Sequence, residues 1–412
     1  MPTEAFIKKH VPAGSFLGQY MKMCEPLETS REYDFWCGMW ALGTALGRGV
    51  IVPRPHAPIH MNWYIMLVAA SGITRKSTSV RIARDLVRQL DIPMVETRAS
   101  SEFLWDTLTS MEEARLAIAV SELVTFLGKS NYAMEIPGML TDLYDCPETR
   151  SGGGTMLRGA REMRDVYITF LSASTPSWLG EAINPAVVEG GFTSRCLFIT
   201  ADQPKHKVPW PTDAEISSSA LLPALHSIQS QAVRTPLVEL LPDAMDRYST
   251  WYKGRDLSSQ DPFVQSFQSR EDSHMLRAAA CLAINDGSFA VYRSHINAAI
   301  QLIREVKSDA LTLFHDTGVP QKFQLGINRV TELLANAGSA GLGHSQLYLR
   351  TRHYLRGDEF NMIMLAMHEH GMVAKIEDKT PGRAGRAPIR YIRSDKLMNR
   401  GSQRALRENL VG

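Results

Sequence analysis

A strand–loop–helix unit between residues 63 and 90 constrains this chain more than any other feature. Trp63–Val68 is a continuous apolar run, as is typical of a strand buried on both faces of a parallel sheet. A loop of mostly small residues follows, and helical apolar spacing then runs from Ser77 to Leu90. Because such units pack side by side into layers, we predict an α/β fold with a parallel sheet.

Further apolar runs predict more strands of the same sheet, at residues 116–120, 166–171 and 196–200. A proline-rich segment follows the last of them. Since proline is excluded from sheet interiors, we expect a domain boundary within residues 202–214. From there the pattern is helical, most clearly over 273–284 and 294–313. After a break at 317–320, three helices and two strands predict a winged-helix arrangement.

The loop at residues 70–77, ASGITRKS, has the chemistry that a nucleoside triphosphate requires. A phosphate loop needs inward-facing backbone N–H groups, a helix N-terminus, a cation and a hydroxyl group for Mg²⁺. We expect Lys76 to reach the β- and γ-phosphates of ATP and Ser77 to ligate Mg²⁺. Ala70 and Arg75 replace the two glycines of GxxxxGK[ST], so Gly72 is expected to supply the backbone freedom. The predicted nucleotide-binding residues are Ser71, Gly72, Ile73, Thr74, Arg75, Lys76, Ser77 and Thr78.

The alternative interpretation of this loop is a tight strand-to-helix turn with a capping serine. Polar residues at two other strand ends favour the ATPase. Glu122 is expected to orient the water that attacks the γ-phosphate, and Thr175 to contact that phosphate or the water. Ser121 stands where an acidic residue usually supports the metal, which suits slow turnover. The alternatives are a carboxylate at a helix N-terminus for Glu122 and an ordinary turn for Thr175.

Two arginines are candidates for further phosphate contacts. Arg195 precedes the strand over 196–200 and is expected to reach the nucleotide of a neighbouring copy, as an arginine finger in trans. Arg277 interrupts an apolar helix, where a buried charge is costly unless it is paired. A nucleotide phosphate beneath a helical lid would pair it. The alternative for both is a salt bridge with Asp or Glu.

These residues resemble a known group of proteins. The segments NWYIMLVAASGITRKST, SE, SASTP and GGFTSRCLF look like those of primase/helicase-like P-loop ATPases of bacteriophages, plasmids and integrated elements, over roughly residues 14–316. Members of that family often carry arginine before the P-loop lysine, as Arg75 stands here. The motif order is also similar to that of minichromosome-maintenance helicases, which are AAA+ ring motors. That likeness implies Arg195 as the finger, Arg277 as a second sensor, and a homo-oligomeric ring, by analogy a hexamer.

The resulting fold prediction is a P-loop NTPase core of the AAA+ type with a helical lid and a C-terminal winged helix. The expected divisions are an N-terminal helical segment (1–60), the ATPase core (61–213), the lid (214–317), the winged helix (318–398) and a basic tail (399–412). A primase module or zinc ribbon, which such proteins can carry, has no counterpart in this sequence.

Two regions are candidates for DNA contacts. The chain has a net charge of only +2, but residues 343–412 hold 13 Lys+Arg against 7 Asp+Glu, which favours a polyanionic partner. Residues 150–164, RSGGGTMLRGAREMR, combine flexible backbone with cations, as suits tracking of single-stranded or forked DNA. The candidate residues are Arg158, Arg161, Arg164, Arg352, Arg356, Lys379, Arg383 and Arg386. A solvated hairpin and a protein-docking winged helix are the alternatives.

The remaining features exclude other classes of protein. The five cysteines occur singly, so neither a disulfide framework nor a structural zinc site is expected. The N-terminus lacks the apolar core of a signal peptide, and glycines and Arg48 interrupt the apolar stretch 35–52. We therefore expect a cytoplasmic protein with no membrane partner.

Three functions fit these observations. The first is an ATP-dependent, DNA-stimulated, helicase-like motor for replication of a phage or mobile element, with ATP hydrolysis shared between Glu122 of one subunit and Arg195 of the next. The second is a nucleotide-switched DNA loader that recruits a replication partner protein. The third is a winged-helix DNA-binding regulator with a relic nucleotide fold.

Overall fold

The computed structural model describes most of the chain. The described residues are 2–127, 135–152, 161–176, 178–179, 191–210, 217–259, 262–316, 319–352, 355–369, 372–377 and 389–393. The chain divides into two compact units, the first comprising Met1–Ala182 and Val187–Thr317 and the second Gly318–Gly412.

A parallel sheet is the centre of the first unit. The strands of this unit are β1 (Ile51–Val52), β2 (Ile59–His60), β3 (Tyr64–Val68), β4 (Met94–Val95), β5 (Arg115–Val120), β6 (Thr149–Gly152), β7 (Arg161–Arg164), β8 (Tyr167–Ser174), β9 (Cys196–Thr200), β10 (Glu239–Leu240) and β11 (Ala290–Val291). Five of them form the sheet in the order β4-β5-β8-β3-β9, with every neighbouring pair parallel. The strand β3, which precedes the loop at residues 70–77, therefore lies between β8 and β9.

Helices cover this sheet and extend the first unit. They are α1 (Glu4–His10), α2 (Phe16–Cys24), α3 (Arg31–Leu46), α4 (Lys76–Arg88), α5 (Ser101–Thr109), α6 (Leu123–Leu127), α7 (Glu135–Leu143), α8 (Phe192–Arg195), α9 (Leu222–Arg234), α10 (Pro242–Lys253), α11 (Pro262–Asn285) and α12 (Arg293–Asp316). Within the described ranges, none of the helices combines the length and the apolarity needed to cross a lipid bilayer.

The central strands are apolar throughout because both faces of the sheet are covered. All residues of β3 are buried, and successive side chains point to opposite faces. Ile65 and Leu67 belong to a core that includes α3 and α4. On the other face, Tyr64 and Phe170 pack edge to face with their ring centroids 6.0 Å apart, and Phe126 of α6 lies 5.8 Å from Phe170.

One hydrophobic core connects the three predicted regions of the first unit. It runs from Phe6 in α1 through the buried helix α3 and the sheet to Val306 in α12. Trp36 of α3 stacks edge to face on Trp63, with ring centroids 5.6 Å apart. The described cysteines of this unit are all buried, namely Cys24, Cys37, Cys146, Cys196 and Cys281. The divisions expected at residues 60 and 213 are thus subdivisions of a single packed body.

The second unit contains helices and an antiparallel sheet around its own core. Its elements are α13 (Val319–Ala337), β12 (Leu342–Gly343), α14 (His344–Thr351), α15 (Gly357–Glu369), β13 (Val373–Glu377) and β14 (Ile389–Arg393). The strand order is β12-β14-β13. Its core includes Leu334, Leu347, Phe360, Met364 and Tyr391. The three helices and the strands β13 and β14 follow the order that the sequence predicts, whereas β12 was not predicted. The assignment of this unit as a winged helix stays a prediction.

The predicted α/β class is confirmed, and the predicted strands of the sheet agree with the structure to within a few residues. The edge strand β4 was not predicted, because two residues are too short a run to show a period. The helix over Ser273–Ile284 is longer than predicted and begins at Pro262, since its first half is too polar to stand out in the pattern.

The close approach of α3 to the segment before β3 predicts a sharp steric effect. A β-carbon on Gly43 would lie 2.2 Å from the Met61 carbonyl oxygen and 2.9 Å from Cδ1 of Trp63. We expect Gly43→Ala to lower the free energy of unfolding by about 1–3 kcal/mol, because the backbone of Met61 must move. Urea unfolding measures this change.

Gly138 provides the matched control. It lies on the exposed side of α7, and a β-carbon there would meet no atom within 4 Å. Gly138→Ala should leave stability unchanged or raise it by up to about 1 kcal/mol through helix propensity. Equal effects of the two substitutions would contradict the steric explanation.

Candidate functional site

The loop between β3 and α4 contains two residues with a left-handed backbone conformation. Gly72 has φ +80° and Arg75, the residue before α4, has φ +51°. Both values lie in the left-handed region, which glycine adopts freely and other residues rarely do. Gly72 therefore supplies the freedom expected of it, and Arg75 takes the left-handed position directly before the lysine, where GxxxxGK[ST] has its second glycine.

Backbone donors at this turn are open to a ligand. In the described part of the chain, no carbonyl accepts a hydrogen bond from the backbone N–H of Ile73, Arg75, Lys76 or Ser77. The last of these groups belong to the first turn of α4, where helical N–H groups have no partner within the helix. Such a cluster of N–H groups at the positive end of a helix dipole favours an anion.

A cavity that is open to solvent lies beside this turn, and its space is about 580 Å³ when the solvent at its mouth is counted. Four loop residues line it: Ser71, Gly72, Lys76 and Ser77. The other predicted loop residues do not: Thr74 is buried, Ile73 and Arg75 are exposed elsewhere, and Thr78 is half-buried. The structure thus brings together about half of the predicted nucleotide-binding side chains.

The carboxyl ends of β5 and β8 complete the cavity. In register, Val68 of β3 pairs with Ser174 of β8, and Val120 of β5 pairs with Ser172, so these strands end at one edge. Ser121, Glu122, Ser174 and Thr175 line the cavity opposite the loop, together with Trp178. Trp178 was not predicted, because no motif marks it.

Glu122 and Thr175 also have the structural roles that the sequence analysis gave as alternatives, at a helix N-terminus and in a turn, respectively. Glu122 directly precedes α6, and its carbonyl accepts hydrogen bonds from the N–H groups of Thr125 and Phe126. Thr175 Oγ1 accepts a hydrogen bond of 3.3 Å from the N–H of Trp178. Both side chains nevertheless border the cavity, so a structural role and a ligand contact are compatible at each position.

Lys76 is held inside the loop by its own backbone. Its Nζ donates hydrogen bonds to the carbonyl oxygens of Ala69, at 2.7 Å, and Ala70, at 3.0 Å. Partial burial lowers the pKa of Lys76, while attraction to Glu122 opposes that shift. No carboxylate in the described part of the chain forms an ion pair with Lys76, so its ammonium group is available to an anion in the cavity.

Arg195 lies at the opposite edge of the sheet from the loop. It directly precedes β9, whose first residue, Cys196, pairs with Tyr64 at the start of β3. Five residues of strand, about 17 Å, therefore separate it from the loop edge. Arg195 Nη2 donates to Asp145 at 3.3 Å, the salt bridge that was its alternative, so it does not contact the cavity of its own chain.

Arg277 is at that same opposite edge, which does not fit a contact with the nucleotide of its own chain. Its guanidinium group is buried and donates to the carbonyl of His60 at 2.7 Å, the hydroxyl of Tyr144 at 2.6 Å and Oδ1 of Asn62 at 3.3 Å. The alternative explanation for Arg277, a salt bridge with Asp or Glu, does not hold within the described residues either, because none of their carboxylates forms an ion pair with it. Neutral acceptors and the aromatic faces of Tyr144 and Trp63 stabilise the charge instead.

The described DNA candidates of the first unit lie on or beside a surface hairpin. β6 and β7 pair antiparallel. Arg161 pairs with Asp106 and Arg164 with Glu162, so both charges are partly neutralised within the chain. Arg158 lies outside the described residues. In the second unit Arg352 and Arg356 are exposed near the ends of α14 and α15, while Lys379, Arg383 and Arg386 lie outside the described residues.

Two buried histidines near Arg277 predict how stability depends on pH. Burial lowers the pKa of His60 to about 4 and that of His274 to about 3. Between pH 6.5 and 4 these two side chains bind more protons in the unfolded chain, so their contribution to the free energy of unfolding falls as the pH falls, by up to about 1.4 kcal/mol per pH unit for each histidine. Above about pH 7 these groups add no pH dependence.

We expect His274→Gln to remove about half of this slope, because one of the two groups no longer titrates. Urea unfolding at several pH values between 4.5 and 7 measures it. His226→Gln, at an exposed position on α9, is the control and should keep the wild-type slope. A slope in His274→Gln equal to that of the wild type would contradict the assignment.

No protein-family model matches the sequence, and no curated protein matches it. Among solved structures, the chain is similar to a full-length MCM homolog from Methanopyrus kandleri, with 17% sequence identity and a TM-score of 0.42. The match covers 74% of this chain and 61% of that protein, so this chain corresponds to about three fifths of its length. Similarity at this level establishes neither family nor function.

Proposed function

We propose that the protein binds and hydrolyses ATP at the cavity between the β3–α4 loop and the carboxyl ends of β5 and β8. The observation that carries this proposal is the lining of the cavity, which combines Lys76, the hydroxyl group of Ser77 and the carboxylate of Glu122 beside a helix N-terminus whose first N–H groups donate to no backbone carbonyl of the described residues. A capping turn alone would need neither the lysine nor the open space. This is the arrangement that a triphosphate and its charge require.

The residues present have distinct tasks in this reaction. Backbone N–H groups hold the phosphate oxygens, and Lys76 exchanges the Ala69 and Ala70 carbonyls for the β- and γ-phosphates. Ser77 is exposed at the cavity and fits a ligand of Mg²⁺, which would neutralise phosphate charge when bound. Glu122 orients the attacking water, and Thr175 contacts the γ-phosphate or that water.

The assembly that we propose is a homo-oligomeric ring, by analogy a hexamer, that acts on single-stranded or forked DNA. Arg195 is too far from its own cavity to act there, so it would serve the cavity of the next subunit after release from Asp145. Arg277, at the same edge, would support that contact. The role in replication of a phage or mobile element rests on the motif resemblance, as do the AAA+ assignment and the helical lid.

One observation favours a second function, a nucleotide-switched loader. Among the described residues that line the cavity, Glu122 is the sole carboxylate, and Ser121 occupies the neighbouring strand-end position. Weak support for the metal would slow hydrolysis and favour a long-lived ATP state. Unwinding of a forked duplex distinguishes the two functions, because the motor separates the strands and the loader only assembles on them.

Substitutions in the cavity test ATP binding and hydrolysis separately. Lys76→Ala should weaken ATP binding by roughly 10- to 100-fold, because a charge-assisted hydrogen bond to phosphate is lost. Glu122→Gln should bind ATP normally while hydrolysis falls by about 10²- to 10⁴-fold. Titration with a fluorescent ATP analogue and phosphate release measure these effects.

Glu113→Gln is the matched control for Glu122→Gln. Glu113 is exposed near the other end of β5, away from the cavity, so its substitution should change neither measurement. Wild-type affinity in Lys76→Ala, or wild-type hydrolysis in Glu122→Gln, would overturn the proposed function.

Mixing two inactive variants tests whether Arg195 acts in trans. A Lys76→Ala subunit still supplies Arg195, and an Arg195→Ala subunit still binds ATP, so their mixture should recover DNA-stimulated ATPase activity. Recovery of about a quarter of the wild-type rate is the expected scale for random pairing of neighbours, since only one ordered pair in four is competent. Lys76→Ala mixed with Glu122→Gln should not recover, because both residues belong to the same cavity. Absence of recovery in the first mixture would contradict the trans role.

A further inference from the structure

Both ends of the β3–α4 loop are held by one short segment, residues 28–34. At the start of the loop, the hydroxyl group of Tyr33 donates a hydrogen bond of 2.9 Å to the carbonyl oxygen of Val68, the last residue of β3. At the end of the loop, Nε and Nη2 of Arg75 donate to Oε2 of Glu28 at 3.1 and 2.9 Å. Residues that are distant in the sequence therefore hold both ends of the loop in place.

Arg75 needs such a partner more than a glycine would. Its φ of +51° lies in the left-handed region, which is disfavoured for a residue with a β-carbon by roughly five- to thirtyfold in population. Gly72 has no β-carbon and adopts its φ of +80° without that penalty. The ion pair with Glu28 fixes the direction of the Arg75 side chain, while the Arg75 carbonyl accepts hydrogen bonds from the N–H groups of Thr78 and Ser79 in α4.

The segment that carries Glu28 is itself firmly anchored. Lys205 and Asp34 form an ion pair whose side chains are each 2% exposed. Lys205 Nζ also donates to Oγ1 of Thr29 at 3.2 Å, and its backbone N–H donates to the Thr29 carbonyl at 3.1 Å. Ser30 Oγ donates to the carbonyl of Gln203 at 2.8 Å. The residues that follow Glu28 are thus fixed by buried contacts with residues 203 and 205.

We propose that Glu28 is a positioning residue for the phosphate loop: through its ion pair it holds Arg75 in the left-handed conformation and so sets the loop for a triphosphate before the ligand arrives. This inference rests on the proposed function of the loop. It assigns to the N-terminal helical segment a task in nucleotide affinity, and it explains how arginine can stand where the usual motif has glycine. Glu28 touches neither the cavity nor, in our proposal, the nucleotide.

Three variants and a control test this role. Glu28→Gln removes the ion pair, Arg75→Gly removes the need for it, and the double variant combines them. Glu25→Gln is the control, because Glu25 lies three residues before Glu28, is exposed and forms no ion pair with a described residue. ATP affinity, the maximal ATPase rate and amide hydrogen exchange of residues 69–78 without nucleotide are measured for each.

We expect Glu28→Gln to raise the dissociation constant for ATP about two- to fivefold, the scale of a partly exposed ion pair, and to speed exchange in the loop. The maximal rate should stay at the wild-type value, because the reacting groups are unchanged. In the Arg75→Gly background the same substitution should change affinity by less than about 1.5-fold, since glycine adopts the left-handed form unaided. Glu25→Gln should match the wild type throughout.

Two results would overturn the inference. One is wild-type affinity and loop exchange in Glu28→Gln, which would make the contact an ordinary surface ion pair. The other is an equal loss of affinity with and without Arg75→Gly, which would mean that Glu28 acts through another residue. Failure of the proposed function has a different pattern: no ATP binding by the wild type, with Lys76→Ala indistinguishable from it. The exchange measurement would still decide the role of Glu28 in that case.

Discussion

The parallel alignment of β3, β5 and β8 is the constraint on which the rest of this structure depends. Because these strands run in one direction and in register, their carboxyl ends meet at one edge of the sheet. Residues separated by some 50 to 100 positions in the sequence, namely Lys76, Glu122 and Thr175, therefore line a single cavity. Ligand sites of open α/β sheets form at this edge, outside the carboxyl ends of the strands.

The two edges of the sheet have different chemistry. The carboxyl edge offers backbone N–H groups and one ammonium group, whereas the opposite edge concentrates guanidinium groups around Tyr144. Arg195, Arg270 and Arg277 all lie within 6 Å of that ring, and Asp145 pairs with the first two of them. The two edges therefore differ in the kind of cation that they hold and in how it is paired: an ammonium group bonded to backbone carbonyls at one edge, and guanidinium groups around an aromatic ring at the other.

Much of this arrangement could be predicted from residues close together in the sequence. The buried strands, the turn before Lys76 and the strand-end residues Glu122 and Thr175 follow from local apolar runs and from the polar residues that end them. Tertiary partners could not be predicted in the same way. Arg277 is stabilised by His60 and Asn62, more than 200 positions earlier, and by a hydroxyl group, so its burial did not require a phosphate. Glu28 is one of many acidic residues until the fold brings it to Arg75.

The burial of every cysteine has a practical consequence. Exclusion from solvent raises the pKa of all five thiols, so the reactive thiolate is scarce at neutral pH and reagents have no direct access. We therefore expect the native cysteines to react little with maleimide reagents. A single cysteine introduced at an exposed position would carry a fluorophore or spin label without removal of the native ones, which opens distance measurements on intact protein in solution.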